Sequence, residues 1–289
     1  MPSLQQTRRR IGSVKNTQKI TKAMKLVSAA KLRRAQERIL KARPYAQKME
    51  ALLSNLGGRV SRDVHPLLAV RPIKRVDIVV VASDRGLCGP FNTQLVRRAM
   101  ELARAQREQG REVSLTCVGR KSRDFFRRRD IPIRHTAAGV FDKLSFEHAA
   151  ELAKNVMDAY LAGAVDECWL IYSEFKSAML SQIQVKRVAP IQAEGTDASA
   201  TDAGPDYLYE PSDEALLVDL VPRAVEIAIW RALLESSASE QGARMMAMDS
   251  ASRNAKEMIA KLTLIYNKTR QAAITKELMD IVGGAEALK

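Results

Sequence analysis

The chain has 289 residues, with 47 Lys and Arg against 33 Asp and Glu, a formal net charge of +14, and 46% hydrophobic but only 5% aromatic residues. That length allows one or two domains, and the shortage of aromatics suits helices packed by Leu, Met, Ile and Ala better than an aromatic-rich barrel or sandwich. No run of 18 apolar residues occurs, so no transmembrane helix is expected. The basic N-terminus lacks the continuous apolar core and small-residue site of a secretory signal. Three widely spaced cysteines, Cys88, Cys117 and Cys168, form no CxxC or metal spacing and suggest a reducing compartment.

From Ser3 to Arg43 there is no proline and one glycine, Gly12. The segment predicts a helix to about Leu56, roughly 80 Å long at 1.5 Å per residue. Leu4, Ile11, Val14, Ile20, Met24, Val27, Leu32, Ala35, Ile39, Ala42, Met49, Leu53 and Leu56 trace an apolar stripe with breaks in phase. Pro44 biases residue 43 away from helix, so a kink or short break is expected there. Gly57-Gly58 ends the helix, and His65 to Lys74, with Pro66 and Pro72, reads as a linker.

Val76 to Ala82 is an apolar strand with one polar residue, Asp77. The loop Ser83-Asp84-Arg85-Gly86-Leu87-Cys88-Gly89-Pro90 leads to an amphipathic helix from Phe91 to Gln109, stopped by Gly110. Strands follow at Glu112–Val118 and Ile131–His135, with a short helix at Ser122–Arg129 between them. A helix over Ser145–Leu161 has Ser145 as N-cap and His148 three residues on. Glu167–Glu174 and Leu180–Pro190 are the fourth and fifth strands. Strands alternating with helices indicate a mostly parallel, doubly wound sheet. Gln192 to Pro211, rich in Ala, Gly, Thr, Ser and Asp, reads as a loop or insertion.

Ser212 or Asp213 caps a second long helix. Arg223 to Val282 has no proline and only Gly242, which predicts about 90 Å of helix. Ala238, Gln241, Met245, Met248, Ser252, Ala255, Ile259, Leu262, Tyr266, Thr269 and Ala273 step by three and four, a heptad seam. Helices this long must project from a domain of this size, and each is the natural partner of the other. The fold class is therefore α/β, with a long antiparallel coiled coil of the N- and C-terminal helices and a doubly wound, Rossmann-like α/β domain. The expected divisions are 1–57, 75–192, the loop 193–211, and 212–289.

The charge is uneven. Residues 1–60 hold 15 cationic and 2 acidic residues, a net of +13, so the first helix carries nearly all of the excess. Its partner is expected to be acidic: nucleic acid, an anionic membrane surface or an acidic protein rim. Arg8-Arg9-Arg10 with Lys15, Lys19, Lys22 and Lys25 could grip DNA. Ile11, Val14, Ile20, Met24, Leu26 and Val27 interleave them at core spacing, which favours a solvated face or an acidic protein. The loop Ser83 to Gly89 follows a strand where doubly wound folds bind ligands, but it is neither GxGxxG nor a Walker loop. It reads as a structured turn. Cys88 is a buried small residue rather than a nucleophile. His65, His135 and His148 are scattered without HExxH spacing, and no nucleophile elbow appears. No catalytic, cofactor or metal site is expected.

Three stretches carry a resemblance. Thr17 to Lys31, TQKITKAMKLVSAAK, closely resembles the N-terminal signature of the gamma subunit of F-type ATP synthases. Glu240 to Met248 and Leu264 to Leu278 are similar to its second signature, and Ser83 to Gly89 with Phe91-Asn92 to its first strand-end loop. The likeness spans essentially the whole chain in order. It implies a central rotor subunit whose paired helices enter the ring of alpha and beta subunits. Its α/β domain and the base of the coil would stand on the c-ring beside epsilon, at the cytoplasmic face of the inner membrane. ATP chemistry would belong to beta. It further implies that Met24 with Lys22 and Lys25 meets the acidic lever of beta, that Arg270, Gln271 and Thr275 make polar contacts to a beta loop, and that Ile281 to Leu288 is the tip in an apolar bearing. The insertion with two cysteines found in thiol-regulated relatives has no counterpart here, and Ala193 to Tyr209 is longer than a tight connection needs.

Overall fold

The computed structural model describes residues 3–57, 64–191 and 212–286. The expected loop at 193–211 lies outside the described residues. The chain divides into two units, residues 1–28 with 244–289, and residues 29–243. Ten elements follow in order: α1 Leu4–Gly57, β1 Arg75–Val81, α2 Phe91–Glu108, β2 Glu112–Val118, α3 Arg120–Phe126, β3 Ile133–Ala137, α4 Phe146–Leu161, β4 Glu167–Phe175, β5 Ser181–Ala189 and α5 Asp213–Glu286.

The larger unit is built on one sheet in the order β3-β2-β1-β4-β5. β1 pairs in parallel with β2 and β4, and β2 with β3, while β5 runs antiparallel to β4. β5 is antiparallel because only Lys176 to Leu180 separates it from β4, too few residues for a parallel crossover. Apart from Arg75 at its start and Asp77, β1 is apolar because both of its faces are covered. Val76, Ile78 and Val80 meet Phe91, Leu95 and Ala99 of α2 and Phe126 of α3. On the other face, Val79 and Val81 meet Leu152, Val156 and Tyr160 of α4.

α5 enters this second face as well. Leu217, Val221, Val225, Ile229 and Leu233 step by four and are buried in the core. The start of the second long helix is thus a layer of the α/β core as well as a partner for α1. From Ala232 to Glu240 nearly every residue is buried, several of them polar, and β4 explains why. β1 pairs with β4 only as far as Ile171, so the β4 backbone beyond lacks ladder partners on that edge, while β5 pairs with the other. Ser236 Oγ accepts from Ser173 N–H at 3.2 Å, Glu235 Oε2 accepts from Phe175 N–H at 2.9 Å, and Ser239 Oγ donates to Ser173 O at 3.1 Å. Arg43 of α1 reaches Glu235 at 3.5 Å. A Cβ at Gly242 would lie 3.2 Å from the Ala178 carbonyl oxygen, which accounts for glycine there.

Local signals act as expected at the helix starts. His148 Nδ1 accepts from Ser145 N–H at 3.3 Å and lies 2.9 Å from Ser145 Oγ, a capping box opening α4. Ser212 caps α5, its Oγ accepting from Ala215 N–H at 3.2 Å. The expected break at Pro44 does not occur, since α1 runs through it. Pro44 removes one N–H, but the residue four back, Leu40, is on the exposed side, where water can serve its carbonyl.

Candidate partner surface of the two-helix unit

In the smaller unit, α5 follows its predicted pattern. Met245, Met248, Ser252, Ala255, Ile259, Leu262, Tyr266, Thr269 and Ala273 are buried or half-buried, and every described residue from Ile274 to Gly283 is exposed. α1 departs from its predicted stripe. Its inward residues are Leu4, Thr7, Ile11, Val14, Gln18, Thr21, Lys25 and Ser28, one seam without a phase break. Ile20 and Val27, assigned to the stripe by hydropathy, are 59% and 57% exposed, whereas Thr21 and Ser28 are buried. Hydropathy marks the phase by apolar residues, while the chain keeps its three-and-four step with small and polar ones. Stepping from Leu4 by position alone would have found Gln18, Thr21, Lys25 and Ser28.

The outer surface is therefore cationic and apolar at once. Arg8, Arg9, Arg10, Lys15, Lys19 and Lys22 are exposed, and so are Ile20, Leu26 and Val27. Among the six residues singled out by resemblance, Lys22, Arg270, Gln271 and Thr275 are exposed and Met24 is half-buried. Lys25 is engaged within the chain, its Nζ 2.5 Å from Asp249 Oδ1. That hydrogen bond and the lysine charge hold the Asp249 carboxyl below its ordinary range. The six are not one cluster. Asp249, beside Lys25, and Arg270 are 21 helical residues apart, about 30 Å along α5.

The strand-end loop of the larger unit is filled by its own side chains. Asp84 Oδ1 accepts from Arg120 N–H at 3.0 Å and Gly139 N–H at 2.9 Å, and Asn92 Oδ1 accepts from Ser83 N–H at 2.9 Å. Gly119, at φ +86°, brings β2's end so close that a Cβ would sit 2.2 Å from Ala82 O. Cys88 is buried with Asn92 Nδ2 at 3.1 Å from its Sγ. Burial pushes the Cys117 thiol up to about 12 and Cys168 well above its ordinary value, so both are held protonated. Sequence reading also passed over a buried network on β1. Asp77 takes Ser114 Oγ at 2.8 Å, Thr116 Oγ1 at 2.7 Å and Arg134 Nη2 at 2.7 Å. A lone Asp in an apolar strand was the available signal, since a buried carboxylate requires partners.

Among the described residues no three His, Cys, Asp or Glu side chains converge as a metal site requires. No helix among them is long and apolar enough to cross a membrane. A cleft of 390 Å³ is lined by Ile39, Phe146, Ile227 and Trp230 together with the charged Arg43 and Glu235. The exposed cationic and apolar residues of the two-helix unit are surfaces on which a partner can seat.

Comparison with known proteins gives the family. A family model described as ATP synthase matches residues 3–288. The ATP synthase gamma chain of Anaeromyxobacter sp. (strain Fw109-5) is 53% identical over 293 residues, and that of Heliobacterium modesticaldum (strain ATCC 51547 / Ice1) 50% identical over 293, each alignment covering 100% of both chains. Among solved structures, a chain of the Tetrahymena thermophila mitochondrial ATP synthase central stalk/c-ring is similar at TM-score 0.60 and 26% identity, over 81% of this chain and 99% of that one. A chain of the Euglena gracilis mitochondrial ATP synthase OSCP/F1/c-ring structure has the same fold, with TM-score 0.69 and 21% identity over 99% of this chain and 94% of that one.

Proposed function

Because the chain belongs to the ATP synthase gamma chain family, we propose that it is the central rotor subunit of a proton-translocating F-type ATP synthase, coupling c-ring rotation to the conformational cycle of the alpha–beta ring. The observation that carries this reading is the uninterrupted seam along α1 and α5 in the two-helix unit. A seam in constant phase makes two helices one stiff body, and a body that transmits torque must be stiff. The subunit is non-catalytic, with the bonds of ATP made and broken on beta. Its partners are alpha, beta, epsilon and the c-ring, and it is peripheral to the cytoplasmic face of the inner membrane.

Lys22, Met24, Arg270, Gln271 and Thr275 are the ring contacts. Exposed ion pairs are individually weak, about 0–1 kcal/mol, so cations such as Lys22 and Arg270 can exchange acidic partners as the rotor turns. The apolar residues exposed beyond Ala273, among them Leu278, Ile281 and Val282, support a tip seated in an apolar collar.

Reconstitution tests the reading. The chain is mixed with cognate alpha and beta subunits, and ATP hydrolysis is assayed while a probe on the α/β domain is followed. One copy per complex, turning during hydrolysis, is expected. Failure to join a competent ring, with tight salt-sensitive DNA binding instead, would overturn it.

A further inference from the structure

Lys25 occupies a seam position, where the helical step turns the side chain toward the other helix. Of the basic residues at 8, 9, 10, 15, 19, 22 and 25, it is the one that an acid engages among the described residues. Its partner Asp249 is also approached by Arg253, with Nη2 at 3.6 Å from Oδ2. The side chains of Lys25 and Asp249 are 41% and 28% exposed, so water screens the pair less than a fully surface one.

We propose that Lys25 and Asp249 form a register clamp between α1 and α5. On this proposal, which rests on the rotor reading, Lys25 serves rotation by positioning Lys22 and Met24 and not by touching the ring. The neighbouring seam residues specify register weakly. Gln18, Thr21 and Ser28 on α1 and Ser252 and Ala255 on α5 are small or polar, so they add little of the apolar burial that would tie the helices to one stagger. A shift of seven residues keeps every seam position in phase. In one direction it would set Lys256 where Asp249 stands, ammonium against ammonium. In the other it would present Gly242, which has no side chain. The observed register is the one of the three that joins opposite charges, the device by which a polar pair fixes alignment in coiled coils.

Charge reversal tests the clamp. Lys25→Glu, Asp249→Lys and the double swap Lys25→Glu/Asp249→Lys are compared in the full chain by amide hydrogen exchange over residues 11–28 and 245–262. The single reversals should speed exchange on both helices by about two- to fivefold, and the swap should bring it back to the unmodified rate. Lys25→Met/Asp249→Met, which carries neither charge, should fall between. In the reconstituted complex, ATP-driven proton pumping per ATP hydrolysed should drop in the singles and recover in the swap. A swap as impaired as the singles, or singles with unchanged exchange, would overturn the clamp. If the unmodified chain joined no alpha–beta ring, the rotor reading would fail while the exchange result stood by itself.

Discussion

Arg134→Met probes what holds the α/β core. Asp77 is 0% exposed and Arg134 20%, so their 2.7 Å contact is made out of water. Removing the guanidinium leaves the carboxylate with only the Ser114 and Thr116 hydroxyls. Breaking a buried pair from one side costs about 3–5 kcal/mol. Two features temper that here. The hydroxyls still donate, and Arg134 Nε is itself buried without a hydrogen-bond acceptor, so the substitution also relieves a cost of about 1–3 kcal/mol. The expected loss is about 2–4 kcal/mol, a fall in melting temperature of about 5–15 °C for a unit of this size. Thermal and urea unfolding, followed by the fluorescence of Trp169 on β4, measures it. Arg104→Met is the control, since Arg104 and Glu108 are 82% and 63% exposed and their loss should stay below about 0.5 kcal/mol. Asp77→Leu/Arg134→Met, which removes both charges, should recover most of the deficit. A loss below about 1 kcal/mol in Arg134→Met, or a double variant worse than the single, would refute the reasoning.

Gly119→Ala should cost at least about 3 kcal/mol, because its Cβ would lie 2.2 Å from a backbone oxygen; a urea midpoint unchanged from the unmodified chain would contradict the close approach. Burial raises the Asp166 carboxyl, but the N–H groups of Arg75 and Lys74 and the nearby Arg75 and Arg71 guanidiniums lower it further, to a net value below the ordinary one. A depressed carboxyl contributes stability that is present above its unfolded pKa of about 3.9 and lost as pH falls through the lower folded value. Asp166→Asn should therefore be destabilised above pH 4, with the gap narrowing in more acid solution; urea midpoints from pH 6 to 3 would show a constant gap if this were wrong. Met24→Lys should lower pumping per ATP hydrolysed more than it lowers complex yield, because a new charge there strengthens contact at one rotary angle. Equal losses of both would count against Met24 as a ring contact.

Much of this protein was legible in its sequence because the signals are local. The strand at Glu112–Val118, the Ser145 cap and the α5 seam from Met245 to Ala273 each follow from residues within a few turns of one another. Long helix at both ends followed from the scarcity of glycine and proline, although α1 and α5 run through Pro44 and Pro222. What tertiary structure decided were the places where polarity and position disagree. Thr21, Ser28 and Lys25 face inward on α1 while Ile20 and Val27 face out, because a continuous helix keeps its phase whatever the hydropathy of each residue. Glu235, Ser236 and Ser239 are buried because β4 outruns β1, a mismatch that no spacing within α5 reveals. Asp77 finds Arg134, and Lys25 finds Asp249, across separations of 57 and 224 residues. Sequence fixes which residues can ionise, but a charge inside a protein is tolerable only beside its partner, and the fold alone brings those partners together.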